Sequence, residues 1–309
     1  MGSPLKILLC CHKPSTLPPL DDDIFLPIHA GKSLSDKDLH MQCDNELNGQ
    51  PCDNISDKNC GYSELTAMYW AWKNIRRAYP DVKYVGLFHY RRFLSFHESR
   101  PFGFMIFRPE REIQSYRVDA EKVMRDLEAG KIIVPCISHE PEPIALGYCR
   151  SHMSEDYRAT MKVVEEKFPD YFGEFVNSLE LGNEYLLANM FIMKYDDFTA
   201  YSEWLFGVLS EVEKFIPWRS YDPYQRRVFG FLSERLFIVW LRKNGKKLKQ
   251  YNMYMYMDND YVPQEKSLLK RTIEFPLRLV ERAIDNTVTW LYAFRRRFAA
   301  MAKGTFGNK

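Results

Sequence analysis

His89-Tyr90-Arg91-Arg92 closes an otherwise apolar run, Lys83-Tyr84-Val85-Gly86-Leu87-Phe88, and gathers an imidazole, a phenol and two guanidinium groups at one point of the chain. Arginine stays charged, and its planar fork offers paired donors to phosphate oxygens. The cluster therefore suits a diphosphate held without a metal ion. Ion pairs to carboxylates on a rim would use the same residue types. If the strand continues through the cluster, His89 and Arg91 share one face and Tyr90 and Arg92 the other, so that one pair meets a ligand.

A second concentration lies in Gly230-Phe231-Leu232-Ser233-Glu234-Arg235-Leu236. Charges inside an apolar run must face a cleft or be compensated nearby. Glu234 is thus a candidate general base or binder of a substrate hydroxyl, with Arg235 as its partner; a structural Glu–Arg pair is the competing reading. Asp44-Asn45 and the stretch Asp53-Asn54-Ile55-Ser56-Asp57-Lys58-Asn59 carry groups that hydrogen-bond sugar hydroxyls and bases, or that close Asx turns. His152 and Asp156, four residues apart, read as a cap or a local hydrogen bond.

Alternating elements must position these groups. Leu5–Cys11 reads as a buried first strand, and residues 14–62 as a long polar stretch with little periodicity. Ser63 is placed as the N-cap of a helix with Leu65, Met68, Tyr69, Trp72 and Ile75 on its apolar stripe. The strand through 83–93 follows, then a helix near 119–128, a strand over 131–135, a helix over 154–168 and a strand from Asn189 to Met193. Helices at about 196–215 and 225–244 complete the pattern. Strands alternating with helices give an α/β fold with a mostly parallel central sheet flanked by helices. In such sheets ligands sit beyond the carboxyl ends of strands, which points to the His89–Arg92 end.

The 309 residues carry a net charge of +2, unevenly spread. From Gln264 to Lys309 ten basic residues face four acidic ones, leaving that tail at +6 and residues 1–263 at −4. An acidic body argues against general nucleic-acid binding, which needs clustered Lys and Arg. The tail repeats apolar residues at three- and four-residue steps opposite Arg278, Arg282 and Arg296, a basic amphipathic helix suited to an anionic membrane or to packing on a protein surface. No apolar stretch is long enough to span a membrane, and no signal peptide is read at the start. Seven cysteines without an export signal point to free thiols in the cytosol. His40, Cys43, Cys52 and Cys60 do not have standard zinc-site spacing. P-loop, Rossmann, zincin and α/β-hydrolase motifs are absent.

The chain resembles a bacterial family of capsular and exopolysaccharide biosynthesis proteins, the domain of unknown function 4422, regarded as glycosyltransferases. The resemblance rests on Cys11-His12-Lys13-Pro14-Ser15, Pro27-Ile28-His29-Ala30-Gly31, the 53–59 stretch, Tyr62 to Asn74, Gly86 to Arg92, Asn189 to Met193 and Phe229 to Arg235. It implies a GT-A-like catalytic domain over 1–263, with the C-terminal amphipathic tail over 264–309 outside it. It further implies transfer of a sugar, galactose in pyranose or furanose form, from a UDP-sugar to a lipid-linked or polysaccharide acceptor. A non-catalytic scaffold binding nucleotide or lipid carrier is the alternative. By analogy with GT-A enzymes, His89-Tyr90-Arg91 stands where Asp-x-Asp would hold a divalent metal. Its lack of hard oxygen ligands leads us to expect no metal cofactor. The implied roles place Lys13, Asp53, Asn54, Lys58, His89, Arg91 and Arg92 on the nucleotide and diphosphate. Glu64, Asn189, His152 and Arg235 are placed on sugar or acceptor, and Glu234 is the base with Asp222 as runner-up. The expected location is the cytoplasm, peripheral on the inner membrane face, with self-association left open.

Overall fold

The computed structural model describes residues 2–20, 23–98 and 105–259. The expected helical tail over 264–309 lies outside the described residues.

Leu5–Cys11 (β1) is buried along its whole length. Leu8 and Cys10 enter one apolar cluster, while Leu5, Ile7 and Leu9 enter another. A strand covered on both faces reads as a continuous apolar run. The further elements are Phe25–His29 (β2), Gln42–Cys43 (β3), the short helix Asn59–Tyr62 (α1), Leu65–Ala78 (α2), Tyr84–His89 (β4), Arg92–Leu94 (β5) and Met105–Pro109 (β6). Then come Ala120–Glu128 (α3), Lys131–Pro135 (β7), Ile144–Ser151 (α4), Ser154–Lys167 (α5), Pro169–Phe175 (α6) and Phe191–Lys194 (β8). Tyr195–Val212 (α7), Val228–Lys243 (α8), Lys247–Tyr251 (β9) and Met253–Met257 (β10) complete the described chain.

Seven strands form one row in the order β9-β7-β8-β4-β1-β2-β3. β8 runs antiparallel to both β4 and β7, and the other neighbours in the row are parallel. The mixed α/β architecture with a largely parallel sheet is the one expected. Off the row, β5 folds back on β4 and pairs with β10, which pairs in parallel with β6. Helices α2, α4, α5, α7 and α8 supply the larger cluster, with Trp70, Phe237 and Trp240 fully enclosed. On the opposite face α3 contributes Val123 and Leu127 beside Phe25, Phe93, Tyr116 and Tyr256.

Three local expectations change. The strand expected through residue 93 stops at His89. Tyr90 and Arg91 make a turn, and His89 pairs with Arg92 across it. Ser63 is not the N-cap of α2. It closes α1 at φ 50°, ψ −130°, and α2 begins at Leu65. Asn189 precedes β8 rather than opening it, because Ala188 and Asn189 both take left-handed backbone. The polar 14–62 stretch is organised around Asp44, a fully buried carboxylate that accepts Gly31 N–H at 2.6 Å, Lys32 N–H at 3.1 Å and the Ser56 hydroxyl.

Candidate functional site

β1 and β4 are parallel neighbours, so their carboxyl ends, Cys10–Lys13 and His89–Arg92, emerge side by side. Beyond them opens a cleft of about 750 Å³. The chain reversal at Tyr90-Arg91 overrides strand alternation: His89, Tyr90, Arg91 and Arg92 all line the cleft, where a continuous strand would have offered one pair. Cys10, Cys11 and Ala30 contribute to the walls, with Asn59, Cys60, Ser63 and Glu64 from the α1–α2 junction. Pro223, Arg226 and Arg227 approach from the turn before α8, and Met255 and Met257 from β10.

The lining is strongly cationic. Lys13, Arg91, Arg92, Arg226 and Arg227 face one carboxylate, Glu64. Among the described residues Arg92 has no ion pair, and Arg91 has only Asp258, 4.0 Å away and largely exposed. Arg227 donates from Nε to the Ser63 hydroxyl at 3.3 Å, and Arg226 donates to the Tyr221 carbonyl at 3.0 Å. Cations gathered at one cleft, with Arg91, Arg92 and Arg226 partly buried, and outnumbering the carboxylates beside them make a site for an anionic ligand. The same field bears on His12, whose pKa is lowered first by burial and then by Lys13, Arg227 and Arg91.

His89 is held in one tautomer. Its Nε2 lies 2.5 Å from the Ala188 carbonyl, which can only accept, so Nε2 carries the proton. Burial lowers the pKa of His89, and Glu64 opposes that shift, leaving a neutral ring whose Nδ1 is an acceptor. Burial drives the thiol of Cys10 well up and that of Cys11 to about 12, so neither is a nucleophile.

Behind this wall, Glu234 accepts the Ala188 N–H at 2.9 Å and pairs with Arg235 at 3.0 Å. Its pKa is raised, chiefly by burial. Asn189 donates from Nδ2 to the Glu64 carboxylate at 2.6 Å and to the Gly230 carbonyl at 3.4 Å.

Of the residues expected at the site, Lys13, Glu64, His89, Arg91 and Arg92 come together around the cleft, with Asn189 one hydrogen bond behind Glu64. Glu234 and Arg235 sit behind the Ala188-Asn189 turn and do not line it. Asp222 accepts the Tyr224 and Gln225 N–H groups and shapes the turn carrying Arg226 and Arg227. His152 stacks on Phe231 at 4.1 Å, with Nδ1 3.2 Å from Gln225 Oε1. Asp156 does not pair with His152; it accepts from the Tyr221 hydroxyl. In the 53–59 stretch, Asp53 accepts from the Tyr69 hydroxyl, Asn54 closes an Asx turn onto Ser56 N–H, and Lys58 pairs with Glu213. These three do not line the cleft.

Arg226 and Arg227 were not singled out from the sequence. The signal was present: cations just before a helix oppose its dipole, a cost of about 0.3–1 kcal/mol each that points to an anionic ligand.

Glu64 is the one carboxylate of this lining, and among the described residues no three His, Cys, Asp or Glu side chains are grouped to hold a metal. Likewise, no described helix is long and apolar enough to cross a membrane.

Residues 6–246 match the family model described as a domain of unknown function, DUF4422. The chain is also similar to a solved apo structure of WbbM, a bifunctional glycosyltransferase, with a TM-score of 0.70 and 31% sequence identity over 82% of this chain. It spans 45% of the length of that chain. No curated protein matches it.

Proposed function

The chain belongs to the DUF4422 family, and from that premise we propose that it is a glycosyltransferase moving a sugar from a nucleotide-diphosphate donor to a saccharide acceptor. The observation that carries this reading is the excess of five cations over one carboxylate around a cleft at the strand ends. A pyrophosphate bound there gathers charge as the glycosidic bond breaks, and preorganised guanidinium groups stabilise that charge. Arg91 and Arg92 on one wall and Arg226 and Arg227 on the other take the place that a divalent ion has in an Asp-x-Asp site, with Lys13 at the end of β1. The tethered, neutral His89 ring presents an acceptor nitrogen beside them.

The donor is a UDP-sugar, galactose in pyranose or furanose form, and the acceptor a lipid-linked or polysaccharide chain of the cell surface. The basic tail holds the enzyme at an anionic membrane, and liposome flotation with and without residues 264–309 tests that part.

Titration of the purified protein with UDP-galactose and UDP-galactofuranose, followed by a transfer assay after EDTA treatment, tests the main reading. Saturable binding and turnover that survive EDTA are expected. Absence of binding to any UDP- or GDP-sugar would reject it. Binding without hydrolysis or transfer would favour the scaffold, and loss of activity restored by Mn²⁺ would remove the metal-free mechanism.

A further inference from the structure

Two carboxylates bond the Ala188-Asn189 turn, Glu234 at the Ala188 N–H and Glu64 at the Asn189 amide, and their surroundings differ. Both oxygens of Glu234 are engaged: Oε1 accepts Ala188 N–H, and Oε2 accepts from Arg235. Its side chain is 15% exposed and does not line the cleft. Glu64 lines the cleft. Its Oε1 accepts from Asn189 Nδ2, while its Oε2 has no hydrogen-bond partner among the described residues. No cation lies within ion-pair distance of Glu64 among the described residues, although five cations share the cleft with it. A half-buried carboxylate with one oxygen held and one free is oriented to take a proton.

The turn links the two. Ala188 lies at φ 76° and Asn189 at φ 48°, a strained conformation for L-residues. Glu234 holds the Ala188 N–H, the Ala188 carbonyl holds His89 Nε2, and the Asn189 amide holds Glu64. Because both contacts of Asn189 Nδ2 are acceptors, the amide cannot be flipped, and its Oδ1 is left buried without a partner. The strained turn therefore fixes two groups on the cleft wall from one buried carboxylate.

We propose that Glu64 is the general base that deprotonates the acceptor hydroxyl, and that Glu234 is a positioning residue acting through Ala188 and Asn189. The step is a single displacement. The acceptor oxygen forms a bond to the anomeric carbon as the bond from that carbon to the donor's phosphate oxygen breaks. The bonding pair leaves with the nucleoside diphosphate, and the hydroxyl proton passes to Glu64. This assignment rests on the reading of the cleft as a glycosyl-transfer site.

The test compares E64Q, E64D, E234Q and E234A in the full chain, with UDP-galactose as donor and octyl β-galactoside as probe acceptor. Donor dissociation constants are measured separately by calorimetry. E64Q is expected to bind donor within about threefold of wild type, to lose roughly a thousandfold in kcat, and to lose the acidic limb of its kcat/KM profile. E64D retains that limb at lower kcat. Gln at 234 still accepts the Ala188 N–H, so E234Q falls by no more than about tenfold and keeps the limb, whereas E234A falls further. An E64Q enzyme that keeps its kcat would overturn the proposal. So would an E234Q enzyme that folds, binds donor and loses both kcat and the acidic limb. Wild-type protein that binds no donor would instead reject the underlying function, whichever way the variants behave.

Discussion

Arg227 and Ser63 join the turn before α8 to the α1–α2 junction: the guanidinium Nε donates to the hydroxyl across 3.3 Å. The serine accepts from a backbone at φ 50°, ψ −130°, a region in which glycine alone is unstrained. A residue held in such a conformation on the cleft wall stores on the order of 1–3 kcal/mol that the surrounding structure must offset. The contact thus ties a candidate ligand-binding cation to a strained hinge between two helices.

Ser63→Gly should relieve that strain and remove the acceptor of Arg227. After subtracting about 0.5–1 kcal/mol for the added freedom of the unfolded glycine, a gain of about 1 kcal/mol remains. The melting temperature should rise by roughly 2–4 °C. Affinity for UDP should fall as Arg227 loses its tether. Scanning calorimetry and UDP titration read the two effects separately, and a lower melting temperature would show that the serine is not strained.

Arg92→Ala and Arg227→Ala should each weaken UDP-sugar binding by about 10- to 100-fold, since a hydrogen bond to a charged group contributes about 1.5–3 kcal/mol. Among the described residues neither arginine is paired with a carboxylate, so neither loss should lower the melting temperature by more than a degree or two. Raising the salt from 0.05 to 0.5 M should reduce wild-type affinity more steeply than that of either variant. Equal salt slopes would exclude these arginines from the anion site.

The residue types of this site are plain in the sequence, and its geometry is not. Arg91 and Arg92 are visible as cations after an apolar strand, but the reversal at Tyr90-Arg91 has no Gly, Pro or Asn to announce it. Neighbouring strands impose it: Tyr90 N–H bonds the Cys10 carbonyl, and the Arg91 carbonyl accepts from Tyr256 N–H. β1 was legible because it is buried on both faces. β2 was not, because it contains Pro27 and is covered by β3 only at Ile28 and His29. The 53–59 stretch looked like a ligand site because Asx turns and sugar-binding loops draw on the same residues, and only packing distinguishes them. Glu234 stood out correctly as a charge that needs a partner. Arg235 is one partner, as its place in the sequence suggests; that the other is a strained backbone amide cannot be read from spacing.

Asp156 is buried, has no ion-pair partner among the described residues, and accepts one hydrogen bond, at 2.6 Å from the Tyr221 hydroxyl. Burial is the main cause of its raised pKa, with the Tyr221 bond opposing it. A carboxyl with a raised folded-state pKa favours folding most when protonated, so its stability contribution is present below the unfolded value of about 3.9 and is lost as pH rises through the folded value. Asp156→Asn can keep the Tyr221 hydrogen bond without the charge. The variant should match wild type in melting temperature near pH 4 and exceed it increasingly toward pH 7. A gap that narrows with rising pH would reverse the assignment.

Gly31 couples stability to the cleft in the opposite sense. It sits at φ 77°, and a Cβ there would lie 2.6 Å from the Asn59 side-chain carbon. Asn59 lines the cleft and donates from Nδ2 to the Ser63 carbonyl at 2.8 Å and to the Thr66 hydroxyl at 3.1 Å. Gly31→Ala therefore carries about 1–2 kcal/mol for the left-handed backbone and about 1–3 kcal/mol for the overlap. At roughly 2–4 °C per kcal/mol the melting temperature should drop by about 5–15 °C. Displacing Asn59 also disturbs the strained Ser63, so affinity for UDP should fall beyond what lost stability explains when measured well below the melting temperature. Asn59→Ala separates the contributions. In the double variant the overlaps with Asn59 Cγ and Oδ1 are gone, while the 2.7 Å approach to Cβ and the backbone cost remain, so its melting temperature should still lie above the sum of the two single changes. Strict additivity would mean that the Asn59 amide is not pressed against residue 31 and that the cost lies in the backbone and the Asn59 Cβ.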